Sequence, residues 1–174
     1  MSVLIIGGGL SGLALADALE TQGTEYLLLE ARSRFGGRIK TEHDAGGYFD
    51  MGPAWFWPGQ PRIVALIDQL GLEKFDQFAT GDLAFENEHG QVQRGRGFSS
   101  MEGSWRLKGG LGAMPQALAD RLPENCKRLN TVVTKLTRTK TGVTATLNTG
   151  DNVDAEQVVP VSYTHLTLPT IYSV

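Results

Sequence analysis

Cysteine is almost missing from this chain: Cys126 stands alone among 174 residues. No internal disulfide can form, which suits a reducing compartment, and the residue reads as an inert small group near a strand start. Positive charge is not in excess either. A net charge of −3 and a pI near 5.6 remove any general electrostatic reason to expect nucleic acid or an anionic membrane as partner. The opening apolar run, "SVLII", has no basic leader and stops at Gly7. It is too short for a signal peptide or a membrane span, so a cytoplasmic chain with no membrane segment is expected. His43 and His89 fall in polar, turn-like stretches, and no His/Cys/Asp spacing suggests a metal. Internal repeats, low-complexity tracts and linkers are absent as well.

What is present is enough for one globular domain with a core, at 41% hydrophobic and 20% charged residues. A second full domain would not fit. "VLII" at 3–6 reads as a strand buried on both faces, and Leu10, Leu13, Ala14, Ala16 and Leu19 then recur at helical spacing until Gly23. "EYLLLE" follows as a second buried strand, so residues 3–30 form one βαβ unit. Turn and extended structure is expected in "HDAGGYFDMG", and a helix in "PRIVALIDQLGL" from Pro61 to Gly71. A hairpin is expected around His89 and Gly90 in "LAFENEHGQVQRGRG", and a glycine loop leading into a helix in "GGLGAMPQALADRL". From 128 to 159 the β-branched residues and turns predict three or so antiparallel strands. The order of elements is α/β with an antiparallel insertion late in the chain.

The chemistry sits at "GGGLSG". Gly7, Gly9 and Gly12 make G-x-G-x-x-G between the first strand and the first helix, and Glu30 ends the second strand. Gly7 permits the tight turn, Gly9 lets a pyrophosphate approach the backbone, and Gly12 lets the helix pack close to the sheet. Leu10 and Ser11 start the helix and offer free amides and a positive dipole end to phosphates. Glu30 can accept both ribose hydroxyls of an adenosine, and its charge repels a 2′-phosphate. Glycine turns alone are common in α/β proteins that bind nothing. The strand, helix and acidic residue in register favour a dinucleotide site.

A nicotinamide fold has no particular need for the "ARSRFGGRIKT" that comes next. The run "LLLEARSRFGGRIKT" resembles the L-E-A-R-x-R-x-G-G-R signature of FAD-dependent amine oxidases and their relatives. "FDMGPAW" is similar to that family's D-x-G-x-x-W segment, "RLKGGLGAMPQALADRL" to its later loop and helix, and "RLNTVVTKL" to the strand that meets the adenine. The resemblance implies FAD as cofactor. It places Ala31 and Arg32 after Glu30 in the nucleotide site, gives Gly37 close passage and has Arg38 fork onto the pyrophosphate. The backbone of Gly52, Pro53, Ala54 and Trp55 would lie along the flavin, and Val133 would meet the adenine through its backbone. Phe56 and Trp57 read equally well as core or surface aromatics. The implied fold is Rossmann-like, of the glutathione-reductase-like FAD/NAD(P)-binding kind, with the antiparallel insertion and a cut before the rest of the substrate domain.

The implied reaction of the parent enzyme is oxidation of a small-molecule amine. A hydride leaves the α-carbon for the flavin, the imine hydrolyses, and oxygen usually reoxidises the flavin to give peroxide. In the family most of the pocket, a lysine and water near the flavin, and a second flavin-binding segment come from a later half not identifiable here, so no catalytic residue is assigned. The same signature occurs in carotenoid desaturases, protoporphyrinogen oxidases and a sugar mutase, so a flavoprotein acting on carbon–carbon bonds is the alternative. A module that only binds FAD without catalysis is another. The flavin-binding part is expected at 1–159, with a partial substrate-domain insertion at about 55–108. The ending "VSYTHLTLPT" resembles the conceptual translation of a transposase adapter used in short-read libraries, so 160–174 are expected to be a non-native tail.

Overall fold

The computed structural model describes residues 1–95 and 101–161. The chain opens with strand β1 (Val3–Ile6), helix α1 (Leu10–Thr21) and strand β2 (Tyr26–Leu29), the βαβ unit that the alternating periods predict. β1 and β2 are parallel, with Val3 opposite Tyr26 and Ile6 opposite Leu29. Gly23 closes α1 at φ +66°, the left-handed geometry a helix end favours.

Next comes an antiparallel hairpin, β3 (Thr41–Asp44) with β4 (Gly47–Asp50), which pairs Thr41 with Asp50. Helix α2 (Pro61–Gln69) starts on its proline and stops before Gly71 at φ +65°. β5 (Lys74–Asp76), β6 (Leu83–Glu86), β7 (Val92–Gly95) and β8 (Trp105–Leu107) follow. β6 and β7 form the hairpin expected around Gly90, although Arg96 and Gly97 of that reading lie outside the described residues. β5 pairs with β8 antiparallel, a pairing with no alternating pattern to announce it. Helix α3 (Ala113–Arg121) then leads through a 3-10 turn at Glu124–Cys126 into β9 (Lys127–Arg128).

The last stretch departs in part from expectation. β10 (Val133–Arg138), β11 (Val143–Leu147) and β12 (Asn152–Ala155) are the antiparallel strands. β9 and β13 (Gln157–Pro160), read with them from sequence, instead join the parallel sheet, whose order is β13-β1-β2-β9. The apolar pair Val158 and Val159 fits a sheet covered on both faces, where alternation disappears. The Val161 amide still donates to Ile6 O at 2.8 Å. Backbone pairing asks nothing of side chains, and the remainder of the tail, 162–174, lies outside the described residues.

Period-2 alternation in the parallel strands sorts their side chains onto two faces. Val3, Ile5, Tyr26 and Leu28 meet Leu13 and Ala16 of α1 and Leu118, Ala119 and Leu122 of α3 and its end. Leu4, Leu27 and Leu29 meet Ala145, Leu147 and Ala155 of the antiparallel sheet. The parallel sheet is thus the middle layer between two helices and a second sheet. Truncating Leu4, Ile5 or Leu28, all fully buried, would cost roughly 2–5 kcal/mol each. A third cluster, Phe56, Ile67, Leu107, Leu111 and Met114, joins α2 to the start of α3. Among the described residues no helix is long and apolar enough to cross a membrane.

Candidate functional site

β1 ends at Ile6, and the chain must reverse into α1 within three residues. Gly7 makes that reversal at φ +114°, which side chains avoid, and its amide donates to Leu29 O at 2.8 Å. Gly12 crosses directly above: a Cβ there would sit 2.0 Å from Gly7 O. These two glycines are therefore demanded by the chain's own packing. Gly9 is different. Its φ of −73° is open to any residue, and a Cβ would come no nearer than 3.9 Å to another atom, the Cα of Gly37. The space at Gly9 is free for a ligand, as close approach of a pyrophosphate requires.

The end of α1 suits an anion. It has no side-chain cap and no acidic residue in its first turn. The first intrahelical bond runs from Leu13 N to Gly9 O at 3.0 Å, leaving the amides of Leu10, Ser11 and Gly12 at the helix terminus. Ser11 is exposed there and Leu10 half-buried.

Glu30 is buried, and its carboxylate does more than face outward. Oε2 accepts the Gly8 amide at 2.6 Å and Oε1 accepts the Arg32 amide at 2.9 Å. Each oxygen keeps a further acceptor position, enough for the two hydroxyls of a ribose. Ala31 and Arg32 lie exposed beyond it. The Glu30 and Arg32 carbonyls accept the amides of Thr131 and Asn130, both at 2.9 Å, which ties the chain entering β10 to this end of the sheet. Val133 follows at the first position of β10, half-buried against the Leu4, Leu27 and Leu29 cluster.

The second glycine loop locks onto the first. The Gly36 amide donates to Gly8 O at 2.8 Å, and Gly36 and Gly37 turn at φ +103° and +60°. The two arginines of "RFGGR" divide the work. Arg34 donates inward, from Nη1 to Phe35 O at 3.1 Å and Ile39 O at 3.0 Å, and from Nη2 to Gly37 O at 2.8 Å. It folds the loop, a role the sequence reading missed; the signal was a Gly-Gly reversal whose carbonyls have no ladder partners. Arg38 is exposed on the outer side.

Gly52 closes the seam. A Cβ there would sit 2.2 Å from Arg38 O, and the neighbouring Met51 amide donates to Lys40 O at 2.8 Å. Gly52, Pro53 and Trp55 are exposed and Ala54 half-buried. Phe56 turns into the core against Trp105, with ring centroids 5.9 Å apart and edge to face, while Trp57 stays on the surface. Gly7 to Gly12, Glu30 to Arg32, Gly36 to Arg38 and Gly52 to Trp55 therefore form one continuous backbone surface. A second residue missed from sequence is Asp50, whose side chain is only 1% exposed at the start of the last segment. His43 and His89 are exposed.

A parallel βαβ unit, a glycine turn at an uncapped helix start and an acid directly after the second strand define a dinucleotide-binding α/β protein. The sequence matches the flavin containing amine oxidoreductase family over residues 10–99 and 82–160, and the chain belongs to that family. The cofactor is accordingly FAD. The chain is 35% identical over 83 residues to a putrescine oxidase of Kocuria rosea, covering 48% of this chain and 17% of that protein. It is 45% identical over 76 residues to the flavin-containing amine oxidase A of Sus scrofa, covering 43% of this chain and 14% of that one. The matches thus span less than a fifth of these relatives' length. Among solved structures, a putrescine oxidase triple mutant superposes with a TM-score of 0.80 at 20% identity, covering 90% of this chain and 56% of that chain. A cyclohexylamine oxidase from Brevibacterium oxydans gives 0.81 at 17% identity, covering 92% and 57%. At such identities the likeness shows the fold, a Rossmann-like FAD-binding fold.

Proposed function

We propose that this chain supplies the FAD-binding part of an amine oxidase, with residues 1–159 holding the cofactor and the antiparallel strands β10 to β12 inserted in that part. The observation that carries the reading is Gly9: a glycine that the surrounding protein does not require, in a seam whose other glycines either turn at positive φ, as Gly7, Gly36 and Gly37 do, or would bring a Cβ within 3.0 Å of a neighbour, as Gly8, Gly12 and Gly52 would. The amides of Leu10, Ser11 and Gly12 would hold the pyrophosphate, with Arg38 beside it. Glu30 would hold the ribose while bracing Gly8. The backbone of Gly52, Pro53, Ala54 and Trp55 would border the ring system, where Met51 and Trp55 already offer exposed apolar surface. Val133 would meet the adenine.

Hydride acceptance from the α-carbon of a small amine is the chemistry FAD supplies when bound. The residues of the glycine seam would orient it. About 55–108 would form part of the substrate-facing region, and Cys126, half-buried and unpaired with another thiol, suits the reducing cytoplasm. Titration of the purified chain with FAD, read by quenching of flavin fluorescence, tests the cofactor reading: saturable binding is expected, and its absence sinks it. Peroxide release over a panel of amines, measured on the parent enzyme, tests the reaction. Turnover of unsaturated hydrocarbon or tetrapyrrole substrates without any amine oxidation would favour carbon–carbon chemistry instead.

A further inference from the structure

Asp50 and Thr41 face each other across the β3–β4 hairpin and grip a distant element. The Thr41 hydroxyl donates to Asp50 Oδ1 at 2.5 Å, and the same oxygen accepts the Leu111 amide at 2.9 Å. Thr41 Oγ1 in turn accepts the Gly112 amide at 2.8 Å. Leu111 and Gly112 immediately precede α3, whose N-cap position, Gly112, has no side chain to cap it. The hairpin therefore holds the turn that enters this helix from 61 and 71 positions away, and places a carboxylate near its positive end.

Gly110 and Gly112 of "GGLG" find their reason here. A Cβ on Gly110 would meet Thr41 Cγ2 at 2.4 Å and Asp50 Oδ1 at 2.7 Å, and one on Gly112 would meet Thr41 Oγ1 at 2.7 Å. Those two glycines make room for the hairpin. Arg106 adds only a long contact, Nη2 to Asp50 Oδ2 at 3.4 Å, so the hydroxyl and the amide are the close partners of Asp50. One residue beyond Asp50, the chain becomes the Met51–Trp55 segment, which lies against Lys40 and Arg38 of the second glycine loop.

We propose that Thr41 and Asp50 are positioning residues for the cofactor. By anchoring the hairpin to the start of α3, they fix where residues 51–55 run against the Arg34–Arg38 loop. They set the wall along which the flavin ring lies, without touching it. This rests on the FAD reading above.

The test compares Thr41→Val, Thr41→Ser and Asp50→Asn with wild type in FAD affinity, in the visible absorption and circular dichroism of the bound flavin at saturation, and in hydrogen exchange at Leu111 and Gly112. Thr41→Val and Asp50→Asn are expected to weaken FAD about tenfold, the size of one lost charge-assisted hydrogen bond. They should also alter the bound-flavin spectrum and speed exchange at both amides, while Thr41→Ser restores all three. Tyr26→Phe, at the opposite end of β2, serves as control: it should lower thermal stability and leave the spectrum unchanged. Wild-type affinity and spectrum in both Thr41→Val and Asp50→Asn would overturn the proposal while leaving the FAD reading intact. Failure of the wild-type chain to bind FAD would overturn the FAD reading, and this proposal with it.

Discussion

Glu30 Oε2 lies 2.6 Å from the amide nitrogen of Gly8, across 22 positions of sequence. A short bond from a buried carboxylate to a glycine-turn amide means that the acid shapes the turn before any nucleotide arrives. Two effects should follow from removing it. In Glu30→Ala the Gly8 amide loses its acceptor in a buried setting, a cost of about 1–3 kcal/mol. Urea unfolding without FAD should show that loss, and FAD titration should show a further loss of affinity. Unchanged FAD-free stability would mean that the bond contributes nothing to the turn.

The glycines of the first turn should separate by substitution. Gly12→Ala drives a methyl to 2.0 Å from Gly7 O, against backbone that cannot yield, so α1 must lift from the sheet. Overpacking of this kind costs roughly 1–3 kcal/mol or more. Gly9→Ala places its methyl 3.9 Å from the nearest atom at an ordinary φ, and its thermal midpoint should stay close to wild type. Its FAD affinity should fall at least about tenfold, since the methyl occupies the approach of the pyrophosphate. Equal melting losses in the two variants would remove the argument that Gly9 is kept for a ligand.

Much of this site was legible because its geometry is local. The run "VLIIGGGLSG" dictates strand, turn and uncapped helix within ten residues, and period changes alone place β1, α1 and β2. Gly37 was legible as a close-approach position through the family resemblance, and it turns at positive φ with Gly36 before it. What the letters did not show depends on contacts distant in sequence. Arg34 has no role in the letters until three carbonyls of its own loop converge on it. Asp50 reads as the first letter of a segment until Leu111 arrives. β9 and β13 carry too few residues to reveal whether they pair parallel or antiparallel, because β-branched composition serves both. β5 and β8 are three residues each, below the length at which alternation can be seen.

Lys127 shows how the helix that Thr41 and Asp50 grip at one end is held at the other. Its Nζ, on a side chain 8% exposed, donates to the carbonyls of Ala119 at 2.5 Å and Leu122 at 3.1 Å, and pairs with Glu124 at 2.7 Å. A cation at a helix C-terminus also meets the negative end of its dipole. Lys127→Met keeps the buried stem and removes the charge, so the Leu122 carbonyl loses this donor and the Ala119 carbonyl keeps only the Leu122 amide. A stability loss of about 2 kcal/mol is expected in chemical denaturation, with FAD affinity nearly unchanged because the α3 C-terminus lies away from the glycine seam. A parallel collapse of FAD binding would instead mean that α3 transmits strain along its whole length.

The alkaline limit of stability should be set in part by Tyr26. Burial raises its hydroxyl above the ordinary tyrosine range, assisted by the bond it donates to Glu20 at 2.9 Å and by that carboxylate's charge. Burial also raises the Cys126 thiol. In both cases the fold favours the neutral form. Below the unfolded tyrosine value of about 10 the proton is bound in both states, and the contribution is complete. Above it the unfolded chain ionises first, so stability falls with a slope of up to about 1.4 kcal/mol per pH unit for each such group. Tyr26→Phe should therefore be about 1 kcal/mol less stable than wild type at neutral pH, from the lost hydrogen bond. It should then lose less on going from pH ~9 to pH ~11, because the group that titrates at about 10 in the unfolded chain is gone. Thermal melts of both proteins across that range check the sign directly, and identical alkaline slopes would show that the Tyr26 hydroxyl ionises as readily folded as unfolded.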